Sequence, residues 1–364
     1  MGTVALAHDY LTQRGGAERV VLSMLEAFPD APLHTSLYEP TRTFPDFVGH
    51  DVRTLPLNRL GPLRRHHRWG LPLYPQSFSS LRVEADVVLC SSSGWAHGVQ
   101  TSGYKLVYCH SPARWLYQRE RYLRESPKVL ELVVGAMAPY LRRWDTAAAA
   151  SAQGYLANSR AVQQRIRQAY GIEAGVLAPP HSVAVDGASQ EVDGLEAGFV
   201  LCVSRLLPYK NVDEVIRAFR RPGLVDCLLV VVGEGPDQAR LAELAGGNVR
   251  LLGSVSDAQL RWLYASCSGL VAASHEDYGL TPLEAAAFGK PTAALRWGGY
   301  LDTVDEEATG LFFEQPDRDQ IAVAIEALLQ RSWSTAAVMD HAAGFQEWRF
   351  IEKLQAIVAG VPPL

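Results

Sequence analysis

One stretch of this chain, residues 269–289, constrains the fold more than any other. Residues 269–273 are an apolar run that predicts a buried strand, and residues 285–288 predict a helix, with Gly279 in the turn between them. The first N–H groups of a helix have no internal partner and lie at the positive end of its dipole. The stretch therefore predicts a strand, turn and helix that bind an anion at the edge of a parallel α/β sheet.

Two carboxylates flank this turn and indicate what kind of anion binds. Thr281 is predicted to cap the helix, with Pro282 at its first position and Glu284 as a capping-box carboxylate. Glu276 stands at the end of the preceding strand. A carboxylate is a poor phosphate ligand, but Glu276 and Glu284 can accept hydrogen bonds from sugar and ribose hydroxyls beside a phosphate. We therefore expect the ligand to be a nucleotide diphosphate sugar.

The same order of elements recurs along the chain. Residues 4–7 predict a strand, followed by Gly15, Gly16 and Glu18 and by a helix with one apolar face. Residues 199–203 predict a strand that leads to a loop with two cations, Arg205 and Lys210, which could neutralise a diphosphate. This alternation indicates doubly wound parallel sheets, which bind ligands at the carboxyl ends of their strands.

Length and composition point to two domains. The chain has 364 residues, of which 48% are hydrophobic, which is too long for one ordinary domain. Residues 1–180 carry a net charge of +6 and the remainder −11, so the first half is basic. The number of cysteines is odd, five, and they have no metal-ligand spacing, so we expect reduced core thiols in a cytoplasmic protein. No apolar run is long enough to span a membrane, and we expect no nucleic-acid partner.

Residues 55–81 combine arginines and histidines with aromatic residues, and four prolines exclude a single long helix. Two interpretations stay open for this stretch. It could be a solvated face with anchoring aromatics, or a patch that binds an acceptor or a membrane surface.

Several motifs resemble one enzyme family. Glu276 and Glu284, separated by seven residues and followed by residues 289–291 (Gly-Lys-Pro) and 298–299 (Gly-Gly), resemble the E-x7-E region of retaining glycosyltransferases of family 4. Residues 108–115 (Tyr-Cys-His-Ser-Pro-Ala-Arg-Trp) and 310–315 resemble segments of bacterial polysaccharide mannosyltransferases. The resemblance implies the α/β GT-B fold, in which two Rossmann-like doubly wound domains face a central crevice and a C-terminal helix crosses back to the first domain. The expected boundaries are 1–180 for an acceptor domain, 181–198 for a linker, 199–340 for a nucleotide-sugar domain and 341–364 for the returning helix.

The resemblance also implies roles for individual residues. His110 is expected to contact the donor sugar, Arg205 and Lys210 to hold the diphosphate, and Glu276 to hold sugar hydroxyls. Glu18 and Arg114 would line the acceptor side of the crevice. The expected donor-binding residues are Gly15, Gly16, Gly233, Asp277, Tyr278, Gly279, Leu280, Thr281 and Glu284.

The function implied is retaining transfer of a sugar, with mannose from GDP-mannose as the favoured donor. The acceptor would be a hydroxyl of a glycan, a lipid-linked glycan or a specialised metabolite, and contact with the inner face of a membrane would suit the basic first domain. The nucleotide sugar is a co-substrate, and no cofactor or metal is expected, because the Asp317-Arg318-Asp319 motif is better explained as a helix cap. Alternatives are a UDP-sugar donor, a nucleotide-sugar epimerase or hydrolase, and a silent binding protein on the same fold.

Overall fold

Each half of the chain forms its own parallel sheet. The computed structural model describes residues 2–118, 128–181 and 183–361. These residues divide into two units, one within residues 1–179 and 347–364 and one within residues 180–346. The two units are described separately below.

The first unit contains a seven-stranded parallel sheet in the order β3-β2-β1-β4-β5-β6-β7. Its strands are β1 (Val4–His8), β2 (Leu33–Thr35), β3 (Val52–Thr54), β4 (Val87–Ser92), β5 (Tyr104–Cys109), β6 (Gly154–Ala157) and β7 (Gly175–Val176). Its helices are α1 (Gly16–Ala27), α2 (Gly61–Arg65), α3 (Tyr74–Ser80), α4 (Arg114–Tyr117), α5 (Lys128–Ala150) and α6 (Arg160–Tyr170). Alternate strand residues enter the cores on opposite faces of the sheet: Ala5 and Ala7 on one, Leu6 on the other.

The second unit contains a six-stranded parallel sheet in the order β10-β9-β8-β11-β12-β13. Its strands are β8 (Val200–Val203), β9 (Leu229–Val232), β10 (Val249–Gly253), β11 (Gly269–Ala272), β12 (Thr292–Leu295) and β13 (Gly310–Phe313). Its helices are α7 (Val212–Ala218), α8 (Gln238–Leu244), α9 (Asp257–Ser266), α10 (Leu280–Ala287), α11 (Tyr300–Thr303), α12 (Arg318–Gln330) and α13 (Thr335–Ala343). Both sheets have the doubly wound strand order that the alternating sequence pattern predicts, which confirms this part of the expected fold.

The C-terminal region is two helices, and the returning helix, predicted over residues 341–364, begins only at Glu347. Helix α13 ends at Ala343, and a separate helix α14 (Glu347–Ala359) follows. Gly344 lies in the break, and glycine disfavours a helix interior by about 1 kcal/mol. The two helices also bury their apolar faces in different units. Val338 and Ala342 pack on α10, whereas Phe350 and Leu354 join the core around α1. The last helix thus returns to the first unit, as predicted.

Residues 181–198, predicted as a linker, belong to the second unit. The N–H of Gln190 donates to the carbonyl of Ala258 at 3.0 Å, and Val192 and Leu195 pack against the core. The segment is therefore held against this unit along part of its length.

The five cysteines are free thiols, and four of them are fully buried. Burial raises the pKa of Cys90, Cys202 and Cys267 to about 12, so these thiols are protonated core groups. In the described part of the chain, no helix is both long and apolar enough to cross a membrane.

Candidate functional site

In the second unit, two central strands end side by side and bring two predicted residues together. Strands β8 and β11 are parallel neighbours, with Leu201 opposite Leu270. The loop after β8 turns through Asn211, which has a left-handed backbone (φ 56°). The Asn211 side chain donates to the carbonyl of Ala273 at 2.8 Å and so ties this loop to the one after β11. The tie places Lys210 against Glu276.

Lys210 and Glu276 form an ion pair between Nζ and Oε1. Their side chains are only 7% and 23% exposed, so water screens the pair less than it would a surface pair. Ser274 Oγ also donates to Glu276 Oε1 at 3.1 Å and hydrogen-bonds Tyr300 at 2.8 Å. Burial, together with the Glu276 charge, raises the pKa of Tyr300 well above its usual value. The Glu276 carboxylate is therefore held in one orientation by two donors.

Arg205 lies in the same loop but differs from Lys210 in its environment. Its side chain is exposed, and it forms no ion pair with a carboxylate in the described ranges. A cation without a fixed partner can bind an anionic ligand without first breaking an ion pair. Lys210 thus supplies a positive charge that is held in place, and Arg205 supplies one that is not paired with a carboxylate in the described ranges.

Gly233 allows the turn after β9 to contact the Arg205 loop. Its φ is +131°, and a Cβ there would lie 2.0 Å from the carbonyl oxygen of Ser204. The carbonyl of Glu234 also accepts the N–H of Leu206 at 2.9 Å. The glycine therefore has a clear packing role beside the predicted phosphate loop, and its contact with a donor stays a prediction.

Helix α10 begins earlier than the sequence suggested. Its N-cap is Gly279, with φ +86°, and Leu280 is its first residue, so the prediction that Thr281 caps it and Pro282 opens it was wrong. A Cβ on Gly279 would lie 2.5 Å from the Tyr300 ring, so close packing as well as φ requires glycine here. Pro282 still lies in the first turn, where its missing N–H costs nothing. Asp277 and Tyr278, just before the cap, are both buried, and burial raises the pKa of Tyr278.

Glu284 does not form a capping box, because the earlier helix start places it at the fifth helical position instead of the third. Its Oε2 accepts a hydrogen bond from the hydroxyl of Tyr264 on α9 at 2.7 Å, and the side chain is 8% exposed. Burial, followed by the Glu284 charge, raises the pKa of Tyr264 well above its usual value. Glu284 lies on the helix whose N-terminus is the predicted anion site, and its contact with a ribose stays a prediction.

Replacement of Tyr264 by phenylalanine is expected to lower the unfolding free energy of the second unit by about 1–3 kcal/mol, because a buried carboxylate loses a donor. Guanidinium unfolding followed by circular dichroism measures this. Tyr140→Phe, at a tyrosine of the first unit that is 55% exposed, is the control and should leave the unfolding of the second unit unchanged. An unaltered Tyr264→Phe midpoint would show that Glu284 does not depend on this bond.

In the first unit, the predicted sugar contact His110 follows β5 at the carboxyl edge of the sheet. Its Nε2 lies 2.8 Å from Ser91 Oγ on β4, and its carbonyl accepts a hydrogen bond from Asn158 at 3.1 Å. Ser91 in turn contacts His8 at the end of β1. Sequence reasoning missed Ser91, although polar residues at the end of an otherwise apolar strand were a usable signal.

Asp9 is a second buried group at this edge that sequence reasoning did not select. Its carboxylate accepts the N–H groups of Ser93 at 2.7 Å, Trp95 at 3.2 Å and Ala96 at 2.7 Å. Burial raises its pKa, while the hydrogen bonds from Ala96 and Ser93 act in the opposite direction. Asp9 therefore organises the turn after β4.

The glycine turn after β1 places the other predicted residues of this unit. A Cβ on Gly15 would lie 2.6 Å from Glu18 Oε2, so the glycine lets this carboxylate approach the turn. Glu18 is buried, and its Oε1 accepts a hydrogen bond from Gln13 at 3.1 Å. Gly16 opens α1, and Arg114 opens α4 after β5.

The basic stretch 55–81 divides into anchored and exposed parts. Tyr74 and Phe78 are buried, as expected for anchoring aromatics. Trp69 is 64% exposed, and Leu60 and Leu73 are 49% and 44% exposed. Arg59, Arg65 and Arg68 are exposed along the same segment. The buried aromatics fit the interpretation of anchoring aromatics, and binding of an acceptor or a membrane surface by the exposed part stays a prediction.

The predicted cap at Asp317 is confirmed, since its side chain accepts the N–H groups of Asp319 and Gln320, both at 3.0 Å. No group of three or more His, Cys, Asp or Glu side chains within the described ranges could hold a metal ion.

Each of the two units matches a family of known proteins. The model of Glycosyltransferase Family 4 matches residues 14–178, and that of Glycosyl transferases group 1 matches residues 190–343. A D-inositol 3-phosphate glycosyltransferase of Geodermatophilus obscurus is 34% identical over 181 residues, which are 44% of this chain and 40% of that protein. A GDP-mannose-dependent α-(1-6)-phosphatidylinositol monomannoside mannosyltransferase of Mycolicibacterium smegmatis is 29% identical over 205 residues, 50% of this chain and 54% of that protein. The chain thus spans about half the length, or less, of the curated relatives it matches.

Among solved structures, Anabaena HepE in complex with UDP-glucose has a TM-score of 0.68. The match covers 99% of this chain and 100% of that one at 17% sequence identity. At this identity the likeness concerns the fold, and it confirms the predicted GT-B architecture.

Proposed function

Because the chain belongs to the family 4 glycosyltransferases, we propose that it moves a sugar from a nucleotide diphosphate donor to an acceptor hydroxyl. The observation that carries this proposal is the Lys210–Glu276 pair at the carboxyl ends of β8 and β11. It joins a fixed cation to a fixed carboxylate at the edge where parallel α/β sheets bind ligands. A nucleotide sugar needs both types of group, a cation for its diphosphate and a hydrogen-bond acceptor for its sugar hydroxyls.

The cations and N–H groups of the proposed site match the negative charge that develops on the leaving diphosphate. When the bond between the sugar C1 and the phosphate oxygen breaks, positive charge develops on the sugar and additional negative charge on the diphosphate. Lys210, Arg205 and the first N–H groups of α10 would stabilise the departing diphosphate. Because Glu276 is already held by Lys210 and Ser274, these groups need little reorganisation as the charge develops.

On the sugar side, Glu276 would accept hydrogen bonds from hydroxyls, and His110 would contact the sugar. We propose that the reaction retains the anomeric configuration without an enzymic nucleophile and without a metal ion. The donor phosphate would then accept the proton of the acceptor hydroxyl.

GDP-mannose is the favoured donor. The motif at 108–115 resembles mannosyltransferases, and a relative from Mycolicibacterium smegmatis is named as GDP-mannose-dependent. A UDP-sugar is the second candidate, because the fold is shared with a protein solved with UDP-glucose.

A thermal-shift titration against GDP-mannose, GDP, UDP-glucose and UDP tests the donor. A ligand at 100 times its dissociation constant should stabilise the fold by about 2.7 kcal/mol. We expect the largest shift with GDP-mannose and a smaller one in Lys210→Ala. A larger shift with UDP-glucose would make a UDP-sugar the proposed donor in place of GDP-mannose. No shift with any nucleotide would contradict the proposed function.

The class of reaction has its own test, because an epimerase or a hydrolase on this fold would turn over the donor without an acceptor. Release of GDP from GDP-mannose should depend on added acceptor, with mannosides as the first acceptors to assay. Equal release in the absence of acceptor would favour the hydrolase.

We further propose that the exposed surface formed by Arg59, Leu60, Arg65, Arg68, Trp69 and Leu73 contacts an anionic membrane that carries a lipid-linked acceptor. No acidic residue lies between Asp51 and Glu84, so this stretch of the chain is positively charged although the whole chain has a net charge of −5. Exposed Trp and Leu side chains beside arginines suit the boundary between lipid headgroups and acyl chains.

Arg65→Gln is expected to weaken binding to vesicles of phosphatidylglycerol about fivefold, since one surface cation contributes about 1 kcal/mol. Trp69→Ala should weaken it further through lost apolar contact. Sedimentation with vesicles measures both. Arg53→Gln is the control. Arg53 is an exposed cation that lies on β3, outside the proposed surface, and pairs with Asp51. If the wild-type protein stays in the supernatant, membrane contact is contradicted, and a soluble acceptor is the remaining interpretation.

A further inference from the structure

Three neighbouring strands of the first unit bring two histidines and a serine into one hydrogen-bonded chain. In the sheet register, His8 of β1 lies opposite Ser91 of β4, and Ser91 lies opposite Tyr108 of β5. His8 Nδ1 is 3.0 Å from Ser91 Oγ and 3.1 Å from the Ser91 carbonyl oxygen. Ser91 Oγ is 2.8 Å from His110 Nε2. The chain runs from His8 through Ser91 to His110.

The chemistry of the partners assigns the protons. A carbonyl oxygen can only accept, so the nitrogen of His8 that contacts it, Nδ1, must carry a hydrogen. His8 is 2% exposed, and its Nε2 has no hydrogen-bond partner in the described part of the chain. A hydrogen on that nitrogen would be a buried unsatisfied donor, which is costly, so the Nδ1–H tautomer of neutral His8 is the favoured form. Ser91 Oγ then accepts from His8 and is left to donate to His110.

The Ser91 hydroxyl thereby determines which ring nitrogen of His110 carries the proton. Because Ser91 donates to Nε2, that nitrogen accepts, and the ring proton is on Nδ1. Ser91 is 1% exposed, so no solvent competes for its hydroxyl. The His110 ring also lies edge-on to Tyr108, with ring centroids 5.2 Å apart, and its backbone N–H donates to Ser92 at 2.9 Å. The contacts with Ser91, Tyr108 and Ser92 thus fix the orientation of the ring, and the contact with Ser91 fixes its tautomer.

We infer that Ser91, held by His8, is a positioning residue that keeps the proton of His110 on Nδ1, so that His110 acts as a hydrogen-bond donor to an oxygen of the substrate. The role toward substrate rests on the proposed function, in which His110 contacts the sugar. The tautomer does not, because it follows from contacts within the first unit alone. Free histidine prefers the Nε2–H form, so the inferred state is opposite to the default.

Long-range ¹⁵N–¹H NMR correlation of the full chain measures the tautomer directly. His110, assigned by its loss in His110→Asn, should show a protonated Nδ1 in the wild type. In Ser91→Ala the population should move toward Nε2–H, and Ser91→Thr, which keeps the hydroxyl, should restore Nδ1–H. Ser93→Ala is the control, because it removes a nearby serine hydroxyl outside this chain of contacts. An Nε2–H tautomer in the wild type would overturn the inference, even if Ser91→Ala does not fold.

Kinetics supply the second measurement. Ser91→Ala should lower kcat/KM for the donor about fivefold to tenfold, as expected for one lost hydrogen bond, and Ser91→Thr should recover most of the loss. A tautomer change without a change in kcat/KM would overturn the role toward substrate. If no donor supports transfer by the wild type, the proposed function fails, while the NMR result still decides the tautomer.

Discussion

Lys210→Ala is expected to lower kcat/KM for sugar transfer about 10²–10³-fold. The lysine would stabilise charge that appears on the leaving diphosphate only in the transition state, and removal of one such group costs about 3–4 kcal/mol of barrier. The loss should fall mainly on kcat, with a smaller rise in KM for the donor, because the ground state carries less of this charge. Initial rates at saturating acceptor with varied donor separate the two.

Two further variants make this result specific. Lys210→Met keeps the length of the side chain without its charge and should be as inactive as Lys210→Ala. Arg250→Ala removes an exposed cation on β10 of the same unit and should retain wild-type rates. Because loss of Lys210 leaves the Glu276 carboxylate without its cation, circular dichroism should first show that each variant is folded. A folded Lys210→Met with a normal kcat would refute the assignment of Lys210 to the leaving group.

The second large effect concerns stability, at Gly298 in the turn after β12. Gly298→Ala is expected to lower the unfolding free energy of the second unit by about 3 kcal/mol or more. The backbone there has φ +61°, which disfavours a side chain, and a Cβ would lie 2.1 Å from the carbonyl oxygen of Glu276. That oxygen also accepts the N–H of Gly299 at 3.0 Å, so the strand-end loop cannot move away without breaking this bond.

Gly194→Ala separates the two causes. Gly194 has a similar φ of +70°, but no atom lies within 4 Å of the position of its Cβ. It should therefore cost only the backbone term, about 1 kcal/mol. Guanidinium unfolding curves of both variants give the comparison. If Gly194→Ala and Gly298→Ala lower the unfolding free energy equally, the close contact with the Glu276 carbonyl oxygen adds no cost at Gly298.

Much of the fold follows from local sequence pattern. Short apolar runs such as Val200–Val203 and Leu229–Val232 are buried on both faces of a parallel sheet, and such strands read as continuous hydrophobic segments. The turn residues that follow them, including Arg205 and Gly279, lie at the carboxyl ends because chain order alone puts them there. The family resemblance was carried by these same turns, so family and fold were predictable together.

Contacts between distant segments were not predictable in this way. The cap of α10 looked like Thr281 in sequence, but the close approach of Tyr300 to Gly279 and the left-handed backbone there start the helix earlier. Glu284 suited a capping box by spacing, yet it accepts a hydrogen bond from Tyr264, which packing of α9 against α10 supplies.

The sequence by itself determined two doubly wound parallel domains, the glycine turns at their strand ends and the residue types that are expected to hold a nucleotide sugar. Only the tertiary structure decided which of those residues meet. Lys210 and Glu276 are 66 residues apart in sequence, and His8 and Ser91 are 83 apart, so the strand register brings each pair together. The physical reason is that apolar periodicity is read along the chain, whereas a hydrogen bond across a sheet depends on which strands pair and in which register.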